Sequence, residues 1–568
     1  MKPVRLSAAA TIALPRWGLA ALCLLYILPG IVRRDPWKVD DASGFGIMWT
    51  MAHGALSDWL SPNIVGLAMP SEAPLAYWIG AILIRVFGWL TGDALAARLS
   101  ILVFFAIGTL AVWRTAYVLG RRSEAQPLKL AFGGQPAALD YGRTLADGAL
   151  LIYVASLGLL LRSHETAATA LQVSIVAVVM YAAACLFDRA TARAATGLGV
   201  ATGVLLLTAN WITPLLLFVS FVLVAALRYR AALPKLLMIS LPIMMALPAV
   251  WLLSRQHTTT ASVADWLAIG KRDLGLPSVG NTRELLKTMV WYLWPAWPIA
   301  VWAVYAWRSQ LTLHILLPAA AVAGLALMTV FAPSARDHGL LPLLPPLAIL
   351  ATFGLPTLKR GAINAIDWFS VMTLSAIAGF IWLGWLAKQT GWPPELAKNA
   401  FRAAPGFQPE FSTVALFVAV ATSIGWLLLL YWRLGRRPPV LWRAVVLSTG
   451  GIVLCWVLLM TLWLPWLNYR QSYDTVAEQL GAALPSSYRC VDTDEVGPAQ
   501  RASFAYLGRV RFSRPGDTRC EFLLVQDDSL LHKGGQMKLI DDRLTLLWQG
   551  RRAADRHELF RLFRRDSQ

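Results

Sequence analysis

Two adjacent aspartates, Asp40 and Asp41, stand just after the first apolar stretch of the chain, and Asp58 and Glu72 follow in the same aromatic-rich segment. A carboxylate at a membrane surface is costly unless it is solvated or paired, so acidic residues there suggest a site. The chemistry they suit is acid–base. Asp40, with Asp41 beside it, could take a proton from an incoming hydroxyl or phosphate. The plainer reading is that the pair caps the helix that follows. Other charged residues lie far along the chain: Arg162, His164 and Glu165 between two apolar spans, and Arg336 and His338 between two more. Arginine donates two parallel hydrogen bonds to a phosphate or carboxylate, although arginines outside a bilayer can equally anchor to headgroups.

Long apolar elements must position these residues. The chain has 568 residues, 57% hydrophobic and 15% charged, far too little polar surface for a soluble protein of this length. A net charge of +19 could speak for nucleic acid. The Lys and Arg residues, however, are scattered between apolar spans as topology signals are, so no nucleic-acid partner is expected. The first thirty residues lack a clear small-residue cleavage site and resemble an uncleaved first span.

Lys2, Arg5 and Arg16 place the N-terminus in the cytoplasm, and span one, Trp17–Val32, delivers the acidic loop to the outside. The apolar segment Pro74–Leu90 is read as interfacial, because only then does the basic loop Arg121–Arg143 fall inside; Arg85, Trp78 and Trp89 agree. Alternation then runs through Leu95–Leu119, Ala146–Leu161 and Thr166–Phe187 to a hairpin, Ala195–Leu207 and Trp211–Leu227, with Asn210 at its outer tip. Later spans include Leu236–Leu253, Met289–Trp307, Leu340–Leu355 and Trp368–Leu386, ending with Leu441–Trp466. The reading gives about thirteen spans, an α-helical polytopic membrane protein with an external C-terminus.

Residues 467–568 are a different material. Val476, Leu480 and Leu484 repeat at helical spacing, CEFLLVQ and RLTLLWQGRR read as strands, and HELFRLFRR could close a hairpin with the latter. This is a small α/β domain outside the membrane, where Cys490 and Cys520 are expected to form a disulfide. No internal repeat supports an inverted-repeat transporter, and no GxxxxGKS phosphate loop or HExxH metal motif is present. The histidines are dispersed. No cofactor is expected, and no ligand cluster supports a divalent metal beside the carboxylates.

The run VDDASGFGIMWTMAHGALSDWLSPNIVGLAMPSEAPLAYWIGAILIRVFG, followed by LAARLS, resembles the polyprenyl-phosphate-sugar glycosyltransferases of the C-type (GT-C) fold. It is most similar to the lipid A aminoarabinose transferases and protein O-mannosyltransferases. Their acidic pair matches Asp40–Asp41, their Gly-Asp-Trp segment Asp58–Trp59, their Glu-Lys-Pro segment Glu72–Ala73–Pro74, and their Tyr-Trp helix Tyr77–Trp78. HGLLPLLPPLAILATFGL resembles their proline-rich span.

The resemblance implies a bacterial inner-membrane enzyme with residues 1–466 in the membrane and its site in the periplasmic loop 33–94. It would move a hexosyl or pentosyl group, with inversion, from undecaprenyl phosphate to lipid A, lipopolysaccharide or another envelope glycan. Asp40, Asp41 and Glu165 would be catalytic. Glu72, Tyr77, Arg162, His164, Asn210, Arg336 and His338 would bind substrate. The lipid phosphate leaves already ionised, so such a site needs a base for the acceptor and cations or donors for the phosphate. Two family lysines are absent: Ala73 replaces one, and Asn210 in LTANWITP the other. A transporter or flippase of a lipid-linked sugar, or a protein O-glycosyltransferase, is the alternative.

Overall fold

The structure, a computed structural model, describes residues 4–11, 13–129, 134–208, 210–256, 263–272, 274–332, 338–435, 440–517, 520–528, 544–555 and 558–565. Arg336 lies outside the described residues. Among the described residues, 8 helices are long and apolar enough to cross a membrane, from Asp93–Gly120 to Trp442–Leu462. Shorter apolar helices include Arg16–Gly30, Leu75–Thr91, Ala192–Leu206, Ile212–Arg228 and Ala296–Ala306.

The centre of the bundle is the helix Asp93–Gly120, packed against Ala138–Val154 and Ala168–Asp188. Small residues let these backbones approach: a Cβ on Gly108 would come within 2.8 Å of the Ser174 hydroxyl. Farther along the chain, Arg360–Thr390, Thr413–Gly435 and Val440–Leu462 pack around a second apolar cluster. Asp367 is fully buried there, its charge matched by Arg433 at 3.0 Å and Arg443 at 2.9 Å. A buried carboxylate persists only with such partners.

Some expected spans are interrupted. Ala146–Leu161 is not one helix: Ala138–Val154 ends, and a short helix Leu157–Arg162 follows. The amide of Leu157 donates to Trp294 at 3.0 Å, and Gly158 lies so close to the Tyr292 ring that a Cβ would overlap it. Burial of the chain against that neighbour redirects it and carries Arg162 to the site. Met289–Trp307 likewise divides into Val279–Tyr292 and Ala296–Ala306 around Pro295, and prolines turn the start of Leu340–Leu355 into a 3₁₀ segment, His338–Leu343.

Helix Leu75–Thr91 has both ends against the acidic segment. Leu75 begins beside Glu72, Arg85 Nε donates to the Ala52 carbonyl at 2.9 Å, and the next helix opens at Asp93, which accepts from Trp49 Nε1 at 3.1 Å. A helix that crossed the bilayer would separate its ends by about 30 Å of hydrocarbon. Gly92 makes the reversal at φ 82°, which glycine adopts without strain.

The tail holds helices Asp474–Ala483 and Pro498–Tyr506 and a four-stranded sheet, ordered β3 (Val491–Asp494), β4 (Phe522–Asp528), β6 (Glu558–Arg565), β5 (Leu544–Gly550). The hairpin β5–β6 is antiparallel, and β3 runs parallel to β4. A disulfide joins Cys490 to Cys520, with Cα atoms 5.0 Å apart, at the starts of the paired β3 and β4. The helix Leu464–Gln471 runs across the expected boundary at residue 467.

The tail is docked on the acidic segment. Arg501 is buried and donates to the carbonyls of Ile64 at 3.1 Å, Val65 at 2.7 Å and Ser513 at 2.7 Å. Ile64 and Val65 belong to a small hairpin, β1 (Asn63–Ile64) with β2 (Leu67–Ala68), inside the acidic loop. A Cβ on Gly46 would lie 2.4 Å from that of Ala502, so glycine is what lets the two helices touch.

Candidate active site

Asp40 and Asp41 open the helix Asp40–His53, where the partial positive charge of a helix N-terminus favours carboxylates. Their side chains then part. Asp41 is 1% exposed and fully engaged. One of its oxygens accepts from the Thr166 amide at 2.8 Å and hydroxyl at 2.9 Å; the other accepts from the Trp37 amide at 3.0 Å and Arg98 Nη2 at 2.9 Å. Arg34 lies 3.5 Å away. Burial works against the charge, but Arg98, Arg34 and the two amides outweigh it and hold the pKa at about 2. Asp41 is enclosed on all sides by these partners. They tie the start of the helix to Thr166 and Arg98.

Asp40 is the reachable member, its side chain 35% exposed. Its Oδ2 accepts from Arg162 Nη1 at 2.9 Å and lies 3.2 Å from His338 Nε2. His338 first, then Arg162, hold its pKa below the usual aspartate range against partial burial. Glu165 shares Arg162, its two oxygens 2.9 and 3.2 Å from Nη1. Burial nevertheless pushes Glu165 up to about 7, with Arg162 pulling the other way. Burial is the larger influence, so Glu165 holds a proton more readily than Asp40 does, despite its contact with Arg162.

Glu72 accepts from the Tyr77 hydroxyl at 2.5 Å. Burial raises its pKa, and Asp40 and His338 act on it electrostatically, which places the Glu72–Tyr77 pair beside the Asp40 cluster. Asn210, just before the helix Ile212–Arg228, accepts from the Ile212 amide at 3.0 Å, and its Nδ2 donates to the Gly270 carbonyl at 3.4 Å. Its hairpin meets the site through the Leu75 amide, which donates to Leu207 at 3.1 Å.

His164 lies beneath the surface of the cluster rather than on it. It is fully buried between Tyr26 and Trp456, with Nε2 3.0 Å from the Tyr26 carbonyl and Nδ1 3.2 Å from the Ser163 hydroxyl. Burial drops its pKa to about 3, so it is neutral. Nδ1 also lies 3.0 Å from the Leu160 carbonyl, so the ring bridges Tyr26 and the turn that presents Arg162 and Glu165.

The residues missed in the sequence are Arg34, Arg98 and Thr166, which fix Asp41. Arg98 left a signal, since an arginine inside an apolar run is costly without a partner. Thr166 left none. A Cβ on Gly44 would fall 2.3 Å from the Thr166 carbonyl, so a glycine one turn into the helix permits the docking. Lys38, 3.2 Å from Asp555 of the tail, and Trp37, whose Nε1 donates to Asn468 at 2.8 Å, close the cluster from the far end of the chain. Among the described residues, no group of three or more His, Cys, Asp or Glu could hold a metal ion.

No family model matches the chain, and no curated protein matches it in sequence. Among solved structures it is similar to ArnT from Cupriavidus metallidurans bound to undecaprenyl phosphate, with a TM-score of 0.65 and 14% identity over 96% of this chain and 97% of that one. The apo state of the same protein gives a TM-score of 0.64 at 14% identity over the same shares. The chain therefore shares the fold of that protein along nearly the whole length of both chains.

Proposed function

We propose that this chain is an inner-membrane glycosyltransferase that transfers a sugar from a polyprenyl-phosphate carrier to lipid A or another envelope glycan on the periplasmic face. The observation that carries the reading is the Asp40 carboxylate, ionised and reachable between Arg162 and His338, at the mouth of a fold shared with a protein captured with undecaprenyl phosphate.

The chemistry follows from the charges. The acceptor oxygen attacks the anomeric carbon as the bond from that carbon to the phosphate oxygen breaks, inverting the centre. Asp40 takes the acceptor's proton, and the lipid phosphate leaves as an anion that needs no proton. Arg162 and His338 are the cationic and donor groups that meet it, in place of the two lysines of the resembling family. Arg162 is held at rest by Asp40 and Glu165. Protonation of Glu165 loosens that hold and frees the guanidinium for a phosphate. Tyr77 keeps Glu72 oriented toward the sugar.

The test is release of free polyprenyl phosphate by the purified protein, given a polyprenyl-phosphate sugar and an envelope acceptor. Acceptor-dependent release supports transfer. Movement of the intact lipid-linked sugar across vesicles without release would make the chain a transporter. Mass spectrometry of envelope glycolipids from wild-type and deletion cells identifies sugar and acceptor.

A further inference from the structure

We infer that the chain carries a second anion site, on the membrane face opposite the acidic centre, which holds the phosphodiester headgroup of an anionic phospholipid. A cavity of about 520 Å³ opens where the helices Asp93–Gly120 and Ala168–Asp188 end and Ala192–Leu206 begins. Arg114, Arg121, Arg189 and Arg193 surround it, and Asp188 is the carboxylate among them. Asp188 is already engaged by Arg122 at 2.8 Å, Arg121 at 3.6 Å and Arg189 at 4.0 Å. Among the described residues, Arg114 and Arg193 have no carboxylate partner. The cavity is therefore left with net positive charge.

Its position is given by a single helix. Arg98 touches Asp41 at one end, and Arg121 follows the other end, about 35 Å away at 1.5 Å per residue. That exceeds the roughly 30 Å of a bilayer's hydrocarbon, so the two ends reach opposite faces. The cavity is also amphipathic, since Tyr117 and Tyr181 line it with the arginines. Below it, Val103 and Leu110 are exposed on the helix face that leads to Arg114, and Val200 is exposed two turns after Arg193. Arginines above a lipid-facing apolar stripe fit a molecule with a phosphate head and acyl tails better than free phosphate. Basic pockets between spans recognise such headgroups.

The test uses the full chain, delipidated in detergent, with native mass spectrometry of bound diphosphatidylglycerol, phosphatidylglycerol, zwitterionic phosphatidylcholine and inorganic phosphate. Wild type is expected to retain the two anionic lipids over phosphatidylcholine. Arg114→Gln and Arg193→Gln should each weaken that binding about 5-fold, and together on the order of 25-fold. Arg360→Gln, at an exposed helix start elsewhere, should change nothing. Both cavity arginines are exposed; if the double variant fails to fold, the single variants carry the test. Equal binding of phosphatidylcholine, equal loss in Arg360→Gln, full competition by inorganic phosphate, or wild-type affinity in the cavity variants would each overturn the inference.

Discussion

The carboxylate of Asp40 and the guanidinium of Arg162 meet at 2.9 Å although 122 positions separate them in the chain. The meeting depends on the next residue. Asp41 ties the start of the acidic helix to Thr166 and Arg98, and Thr166 lies four residues beyond Arg162 on the turn that His164 locks from beneath. On the proposed mechanism, one aspartate holds position and its neighbour takes the proton.

That division predicts two different failures. Asp40→Asn keeps the shape but cannot accept a proton, so turnover should fall roughly 10²–10⁴-fold, about 3–5 kcal/mol of barrier, while the melting temperature barely moves. Asp41→Asn leaves Arg98 and Arg34 buried without their counter-charge and should destabilise the fold by about 3–5 kcal/mol. Turnover at equal amounts of folded protein, with thermal unfolding of each variant, separates them. Loss of turnover without loss of stability in Asp41→Asn would reverse the assignment.

Glu165 contributes to the pH dependence, together with Asp35, which burial raises to about 6. The folded pKa of Glu165 is raised by burial to about 7 from an ordinary 4.5. Between those values the folded state holds a proton that the unfolded state has lost, so its contribution to stability falls as pH rises through that window. Glu165→Gln should make the fall in stability between about pH 4.5 and 7 shallower, most clearly above pH 6 where Asp35 no longer contributes, and reduce turnover less than Asp40→Asn does. Melting temperature against pH, in both proteins, is the measurement. An unchanged slope would mean that Glu165 stays ionised with Arg162.

Arg501 tests whether the tail supports the site. Arg501→Ala removes the donors to Ile64, Val65 and Ser513 and should cost about 3 kcal/mol. Turnover should fall as well, because the acidic helix loses the helix packed on Gly46. Limited proteolysis should then release the tail faster than in wild type. Normal turnover with a released tail would show that the membrane part works alone.

The disulfide Cys490–Cys520 closes a loop with sequence separation 30. Removing it by Cys520→Ser should destabilise by about 2–4 kcal/mol. Thiol titration of oxidised, denatured protein should find neither tail cysteine free.

Topology is checked at the far end of the same helix that carries Arg98. Ser123 is exposed just beyond it, so Ser123→Cys should resist a membrane-impermeant thiol reagent in intact cells and react once they are opened. Labelling in intact cells would place this basic loop outside and make Leu75–Thr91 a span.

Much of this was legible in the chain because hydrophobicity and charge are local properties, and the polar tail holds two cysteines, which pair. The apolar runs specify the long helices, and the strands at CEFLLVQ and RLTLLWQGRR follow from alternation and β-propensity. The cluster of Asp40, Glu72, Arg162, Glu165 and His338 could be nominated because charge at a membrane boundary is expensive. What the sequence could not separate was Asp40 from Asp41, or Glu165 from His164. Within each pair the residues are adjacent and polar; burial and partners alone distinguish them, and the partners come from elsewhere in the chain. Arg98 and Thr166 choose the anchoring aspartate, and Tyr26 and Trp456 bury the histidine. The break at Ser156 and the docking of Arg501 were equally invisible, because each depends on backbone carbonyls that identity does not encode. Which carboxylate is free to react is a property of packing, and packing exists only in the folded chain.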